Sequence, residues 1–197
     1  GGGPTAVINA SLYGVIEEAK RNPEVGKVYG AIGGTGAIFS ETFIDLTSFD
    51  DEKLKLLLHT PASAIGSSRY PLYEKDYEKM VDIFKKHDIK YVLLNGGNGT
   101  MDACGHIYEV CKDQDIKVVG IPKTIDNDIA MTDHSPGYGS AARFIAASTQ
   151  EVGEDVKSLP IHVCIMEAMG RNAGWITAAS ALARSCLLYT SDAADEL

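Results

Sequence analysis

Apolar residues recur at helical spacing near the start of the chain. Val7, Ile8, Leu12, Val15 and Ile16 predict a helix that runs to about Lys20 and stops at Asn22-Pro23. Pro4 suits its first turn. Residues 27–32 read as a strand followed by Gly33-Gly34, and residues 50–59 as a short helix capped by Asp50 or Asp51. Residues 76–87 predict an amphipathic helix, with Asp76 as N-cap and Tyr77, Met80, Ile83 and Phe84 on one face. A buried strand follows at 91–94, a turn at 95–100 and a helix at 101–113. Residues 118–121 form the next strand, ended by Pro122; then come a helix at 139–156, a strand at 161–167 and a helix at 172–184. Strands alternating with helices predict a parallel sheet in an α/β fold. The polar loops at 95–100, 122–128 and 169–175 each sit at or just after the C-terminal end of a predicted strand. That is the edge where open α/β sheets bind ligands.

Composition narrows the function classes. The 197 residues hold 18 Lys+Arg and 27 Asp+Glu, a net charge of −9, with 45% hydrophobic and 23% charged residues. This is ordinary for a globular protein. A chain of this length buries roughly 70% of its unfolded surface, enough for one domain or one and part of a second. The acidic balance argues against a broad nucleic-acid footprint while leaving room for a local phosphate site. No apolar run approaches the roughly 18 residues of a membrane helix. The opening Gly1-Gly2-Gly3-Pro4 has neither a Met nor a charged leader, so no signal peptide is expected. A glycine loop of this kind normally follows a strand, and the expectation is that a first strand precedes Gly1 in the natural protein. Cys104, Cys111, Cys164 and Cys186 form no CxxC pair and read as small buried hydrophobes in a reducing, cytoplasmic compartment. Cys104 and Cys111 fall on one helix face.

Three motifs carry chemistry. In Gly96-Gly97-Asn98-Gly99-Thr100, glycines let backbone N–H groups approach phosphate oxygens, and the next helix adds its positive end. Taken alone, this run is equally well a tight strand-to-helix turn. Pro122-Lys123-Thr124-Ile125-Asp126-Asn127-Asp128 is more specific: a carboxylate that accepts a proton, a second that helps hold Mg²⁺, and a lysine that neutralises phosphate. In Met169-Gly170-Arg171-Asn172-Ala173-Gly174-Trp175, Gly170 allows close backbone approach and Arg171 can fork onto a phosphate or hydroxyls. Trp175 reads as core.

Together these motifs resemble the phosphofructokinase family. Gly2-Gly3-Pro4-Thr5-Ala6-Val7-Ile8-Asn9-Ala10 is similar to its first glycine loop, and Gly66-Ser67-Ser68-Arg69-Tyr70-Pro71 to its second phosphate-contacting loop. The five motifs run in the family's order from Gly1 to about Arg184. The resemblance implies a Rossmann-like donor-binding domain over 1–135 lacking its first strand, and the start of a sugar-phosphate domain over 136–185. It implies phosphoryl transfer to the 1-hydroxyl of fructose 6-phosphate in glycolysis, with Mg²⁺, in a homo-oligomer that engages neither nucleic acid nor membrane. Asp126 matches the catalytic base, with Lys123 and Arg171 at the transferred phosphoryl. Gly3, Arg69, Tyr70, Gly97, Asn98, Gly99 and Thr100 match the donor site. Thr124, Asp126, His162, Met169, Gly170 and Arg171 match the sugar-phosphate site, and Asn98 and Asp128 the metal site.

Two positions bear on the donor. In the family, a Gly at the place of Gly99 leaves room for the α-phosphate of ATP, whereas an Asp there goes with pyrophosphate. Lys at the place of Lys123 is typical of pyrophosphate enzymes, although one ATP-dependent branch keeps it. On sterics, ATP is the expected donor and pyrophosphate the alternative, toward which the Arg171 to Trp175 run leans. Asn98 departs from the Asp that many members place near Mg²⁺, which also admits a non-catalytic sugar-phosphate- or nucleotide-binding relative. His162 stands where many members have an arginine that reaches a neighbouring subunit's sugar phosphate. From Cys186 on, the family pattern breaks; residues 186–197 resemble a translated sequencing adapter, so a non-native tail on an N-terminal fragment is expected.

Overall fold

The computed structural model describes residues 1–160 and 163–183. Residues 161–162, with His162, and residues 184–197, with the expected tail, lie outside that description. Contacts divide the chain into two compact units, Gly1–Lys123 and Thr124–Leu197. The division falls ahead of the sequence-based boundary at 135.

The first unit opens with α1 (Ala6–Arg21), close to the span its periodicity predicts. A three-residue strand, β1 (Tyr29–Ala31), precedes the single helical turn α2 (Gly36–Phe39) and a second strand, β2 (Phe43–Asp45). β1 does not join the parallel sheet. It pairs antiparallel with β2, Gly30 opposite Ile44. The connection between them is shorter than the dozen or so residues a parallel crossover needs. Next come α3 (Asp51–Lys55) and a 3₁₀ turn over Leu56–His59. Asp50 is the expected N-cap: its carboxylate accepts from the Lys53 N–H at 2.7 Å.

α4 (Glu74–Lys86) starts earlier than expected, and Asp76 is not its N-cap. Asp76 lies three residues inside, where its carboxylate accepts from the Tyr73 N–H at 3.0 Å. This is the return bond that an acidic third residue supplies. β3 (Tyr91–Gly96) and β4 (Lys117–Pro122) pair in parallel, Leu94 opposite Gly120. Their crossover is α5 (Asn98–Cys111), which begins three residues before the expected start. It packs so closely on β4 that a Cβ at Gly120 would collide with Met101 Sδ.

The core lies between α4, α5 and the β3–β4 pair. Met80, Ile107 and Cys111 are fully buried there, with Phe84, Tyr77 and Leu94 almost so. Each such apolar side chain stabilises the fold by about 1.5–3 kcal/mol. A second cluster of Ile16, Leu46 and Leu54 seats α1.

The second unit contains α6 (Tyr138–Ser158) and α7 (Trp175–Ser180), which lie against each other; the Tyr138 hydroxyl donates to the Trp175 carbonyl at 3.2 Å. The strand expected over 161–167 is absent across its described residues, 163–167. Val163 and Ile165 are exposed, and no described segment offers that stretch a ladder. The last polar loop therefore does not follow a described strand. α7 is also shorter than expected, and Trp175 is 53% exposed rather than core. Gly174 stands at its N-cap, with turns before it.

Candidate functional site

In the first unit, two distant segments and Lys123 converge on residues 1–3. The Gly1 amino group donates to the Asn95 carbonyl at the end of β3 (2.7 Å). The Gly2 N–H donates to the Ser68 carbonyl (3.2 Å), and Ser67 Oγ donates to the Gly2 carbonyl (2.6 Å). Lys123 Nζ donates to the Gly3 carbonyl (2.6 Å), while its own N–H donates to the Gly96 carbonyl (2.9 Å). Lys123 is only 5% exposed, unusual for a lysine. Its ammonium lies against the glycine strip.

The wall opposite is residues 60–69. Asn9, fully buried on α1, donates from Nδ2 to the Thr60 carbonyl and accepts the Ala64 N–H on Oδ1, both at 2.7 Å. Gly33 donates its N–H to the Ile65 carbonyl (2.8 Å), and Gly34, at φ +73°, lies so near Ser68 that a Cβ there would strike its backbone nitrogen. The pinned loop borders an open cleft of about 400 Å³ lined by Gly2, Pro4, Ser63, Ser67, Ser68 and Arg69. Tyr70, the other donor-site residue expected from this loop, turns its ring toward Phe39, centroids 5.4 Å apart.

The second glycine loop forms the α5 N-terminus. Gly97 is the N-cap with no side-chain cap bond, and the Thr100 N–H donates to its carbonyl at 2.9 Å. Asn98 and Gly99 are exposed. Thr100 is buried, and its side chain sits so close to Gly1 and Gly96 that a Cβ at either would collide with it. A Cβ at Gly99 would meet nothing within 4 Å.

In the second unit, the Thr124 N–H donates to the Pro136 carbonyl (3.0 Å), and Thr124 bridges Gly137. The Asp126 N–H donates to Thr124 Oγ1 at 3.1 Å. Asp126 Oδ1 is buried without a hydrogen-bond partner among the described residues, whereas Asp128 is exposed. Two carboxylates two positions apart therefore occupy different environments. Met169 is 70% exposed, and Gly170 (φ +142°) and Arg171 (φ +40°) take left-handed backbone. Gly170 is required: its carbonyl accepts the Ala173 N–H, and a Cβ would collide with Ala173 O.

Among the described residues, no three His, Cys, Asp or Glu side chains group to hold a metal ion. Cys104 and Cys111 are buried free thiols, as their shared helix face predicts, but Cys164 is exposed. No described helix is long and apolar enough to cross a membrane. Reading the sequence assigned no role to Asn9 or to Asn127, the two buried amides beside the loops; neither belongs to an apolar period.

Residues 1–192 match the phosphofructokinase family profile. The pyrophosphate–fructose 6-phosphate 1-phosphotransferase of Halomonas elongata is 42% identical over 193 residues, which cover 92% of this chain and 46% of that protein. An ATP-dependent 6-phosphofructokinase from Histophilus somni is 29% identical over 187 residues, covering 94% of this chain and 56% of the relative. The crystal structure of the pyrophosphate-dependent phosphofructokinase from Marinobacter aquaeolei superposes with a TM-score of 0.84 at 41% identity, over 94% of this chain and 48% of that one. This chain spans about half the length of the curated relatives it matches.

Proposed function

The chain belongs to the phosphofructokinase family, and from that premise we propose that its protein transfers a phosphoryl group from pyrophosphate to the 1-hydroxyl of fructose 6-phosphate. The donor differs from the ATP that Gly99 favours on sterics. A relative named for pyrophosphate is 42% identical to this chain, against 29% for one named for ATP, and that difference supports pyrophosphate over the reading from one open position. The observation that carries the reading is the contact of Lys123 Nζ with the Gly3 carbonyl, which holds an ammonium at the glycine strip.

Asp126 acts as general base, supported by its buried, unpartnered Oδ1, which lacks the proton donor a sugar hydroxyl supplies. The sugar oxygen attacks the terminal phosphorus; the new O–P bond forms, the bridging P–O bond breaks, and orthophosphate leaves. Lys123 and Arg171 neutralise charge on the transferring group. Gly3, Arg69, Tyr70 and residues 97–100 bind the donor; Thr124, His162, Met169 and Gly170 bind the sugar phosphate. Asp128 and Asn98 are the residues that would hold Mg²⁺, which would supply charge neutralisation. The protein works in glycolysis, in the cytoplasm, as a homo-oligomer.

ATP is the second reading, favoured by the open space at Gly99. ³¹P NMR of the full-length enzyme with fructose 6-phosphate, Mg²⁺ and either donor tests both. Fructose 1,6-bisphosphate and orthophosphate from pyrophosphate support the proposal. Turnover with ATP alone replaces the donor, and silence with both favours a binding relative.

A further inference from the structure

Asn127 separates the two carboxylates of the Asp126-Asn127-Asp128 run. It is 8% exposed and stands at φ +55°. Asn is among the few side chains that enter this left-handed region readily. Its amide turns back into the loop. Oδ1 accepts the Ser135 N–H at 2.7 Å, and Nδ2 reaches the Asp133 carbonyl at 3.4 Å. Ser135 is fully buried, so its N–H would otherwise have no water to turn to. The loop is closed at its base by the Thr124 N–H on the Pro136 carbonyl and across its middle by the Asn127 amide. Between these closures lies Asp126, one carboxylate oxygen sequestered, while Asp128 on the far side of Asn127 is exposed.

We propose that Asn127 is a positioning residue: its side-chain amide, bonded to Ser135, fixes the loop turn that keeps one Asp126 carboxylate oxygen sequestered and apart from the exposed Asp128. Different environments are what allow neighbouring carboxylates to take different roles, one as base and one at a cation. A left-handed residue with a short hydrogen-bonding side chain meets both demands. Gly meets only the backbone demand, and Ala meets neither.

The proposal rests on the phosphofructokinase reading for its catalytic consequence, and two readouts separate the two. Asn127→Gly preserves the backbone conformation and removes both amide bonds. In the full-length enzyme it is expected to lower kcat at least about tenfold while KM for fructose 6-phosphate stays within about threefold. Amide exchange at Ser135, followed by mass spectrometry, is expected to accelerate at least about tenfold. Asn127→Asp still presents an oxygen to the Ser135 N–H and is expected to fall between wild type and Asn127→Gly in both readouts. Wild-type kcat or wild-type Ser135 exchange in Asn127→Gly overturns the proposal. Should Asn127→Gly fail to fold, Asn127→Asp decides: reduced kcat at unchanged KM supports it, and wild-type kcat overturns it. A wild-type enzyme silent with both donors sinks the functional reading, and Ser135 exchange then still decides the role of Asn127.

Discussion

Lys123 Nζ donates to the carbonyl oxygen of Gly3 at 2.6 Å, joining positions 120 residues apart. The end of β4 and the start of the chain thereby share one buried cation. A lysine so placed has exchanged part of its hydration for a fixed carbonyl dipole, and its charge stays beside the glycine strip where donor phosphates are proposed to lie. Lys123→Met is therefore expected to lower kcat with pyrophosphate by about 10²–10³-fold, the usual effect of removing one preorganised charge stabiliser. Steady-state kinetics of the full-length enzyme checks this; a kcat unchanged within error removes Lys123 from the chemistry.

Asp126→Asn keeps the shape of the proposed base and removes its proton affinity. The expected loss in kcat is about 10²–10⁴-fold. Binding of fructose 6-phosphate, measured by calorimetry, is expected to change much less. Equal losses in binding and turnover would make Asp126 a binding residue only.

Gly99 can accept a side chain without disturbing the fold, because a Cβ there meets no atom within 4 Å. Gly99→Asp is expected to leave the melting temperature within a few degrees of wild type and to reduce kcat/KM for ATP far more than for pyrophosphate. Parallel losses for both donors would show that this position does not gate the α-phosphate.

Asn9 ties α1 to the loop that carries Ser67 and Arg69. Asn9→Leu strands the Thr60 carbonyl and the Ala64 N–H. Urea unfolding is expected to show a loss of about 1–3 kcal/mol. Unchanged stability would mean that water takes over both groups.

Burial raises the thiol pKa of Cys104 and of Cys111, where the Lys85 charge only partly offsets it. Both stay protonated at neutral pH, and the thiolate is the nucleophile. Alkylation mapped by mass spectrometry at pH 7.5 is expected to label Cys164 readily and to reach Cys104 and Cys111 only on unfolding.

Local chemistry made much of this legible in the sequence. The periodicity of Val7 to Ile16, the Asp50 cap and the face of Tyr77, Met80 and Phe84 each depend on residues within a few positions, and each appears in the structure. Pairing is not local. Residues 29–31 have strand character, but only Phe43–Asp45 decides that they run antiparallel and outside the β3–β4 sheet. The apolar stretch at 163–167 has strand composition and, in the described residues, no ladder to join. Asp76 has the right chemistry for a cap but acts from the third helical position, because Tyr73 supplies the entry. The glycine loops and the Lys123 to Asp128 run could be found as motifs. Asn9 and Asn127 could not, since each earns its place by bonds to a loop whose path the sequence does not announce.

The central claim is the donor, and the ratio of kcat/KM for pyrophosphate to kcat/KM for ATP tests it most directly. It is measured on the full-length enzyme at saturating fructose 6-phosphate and fixed free Mg²⁺. The account predicts a ratio above about ten, a margin of roughly 1.4 kcal/mol in transition-state stabilisation. A ratio below one would contradict it and return Gly99, rather than Lys123, as the residue that chooses the donor.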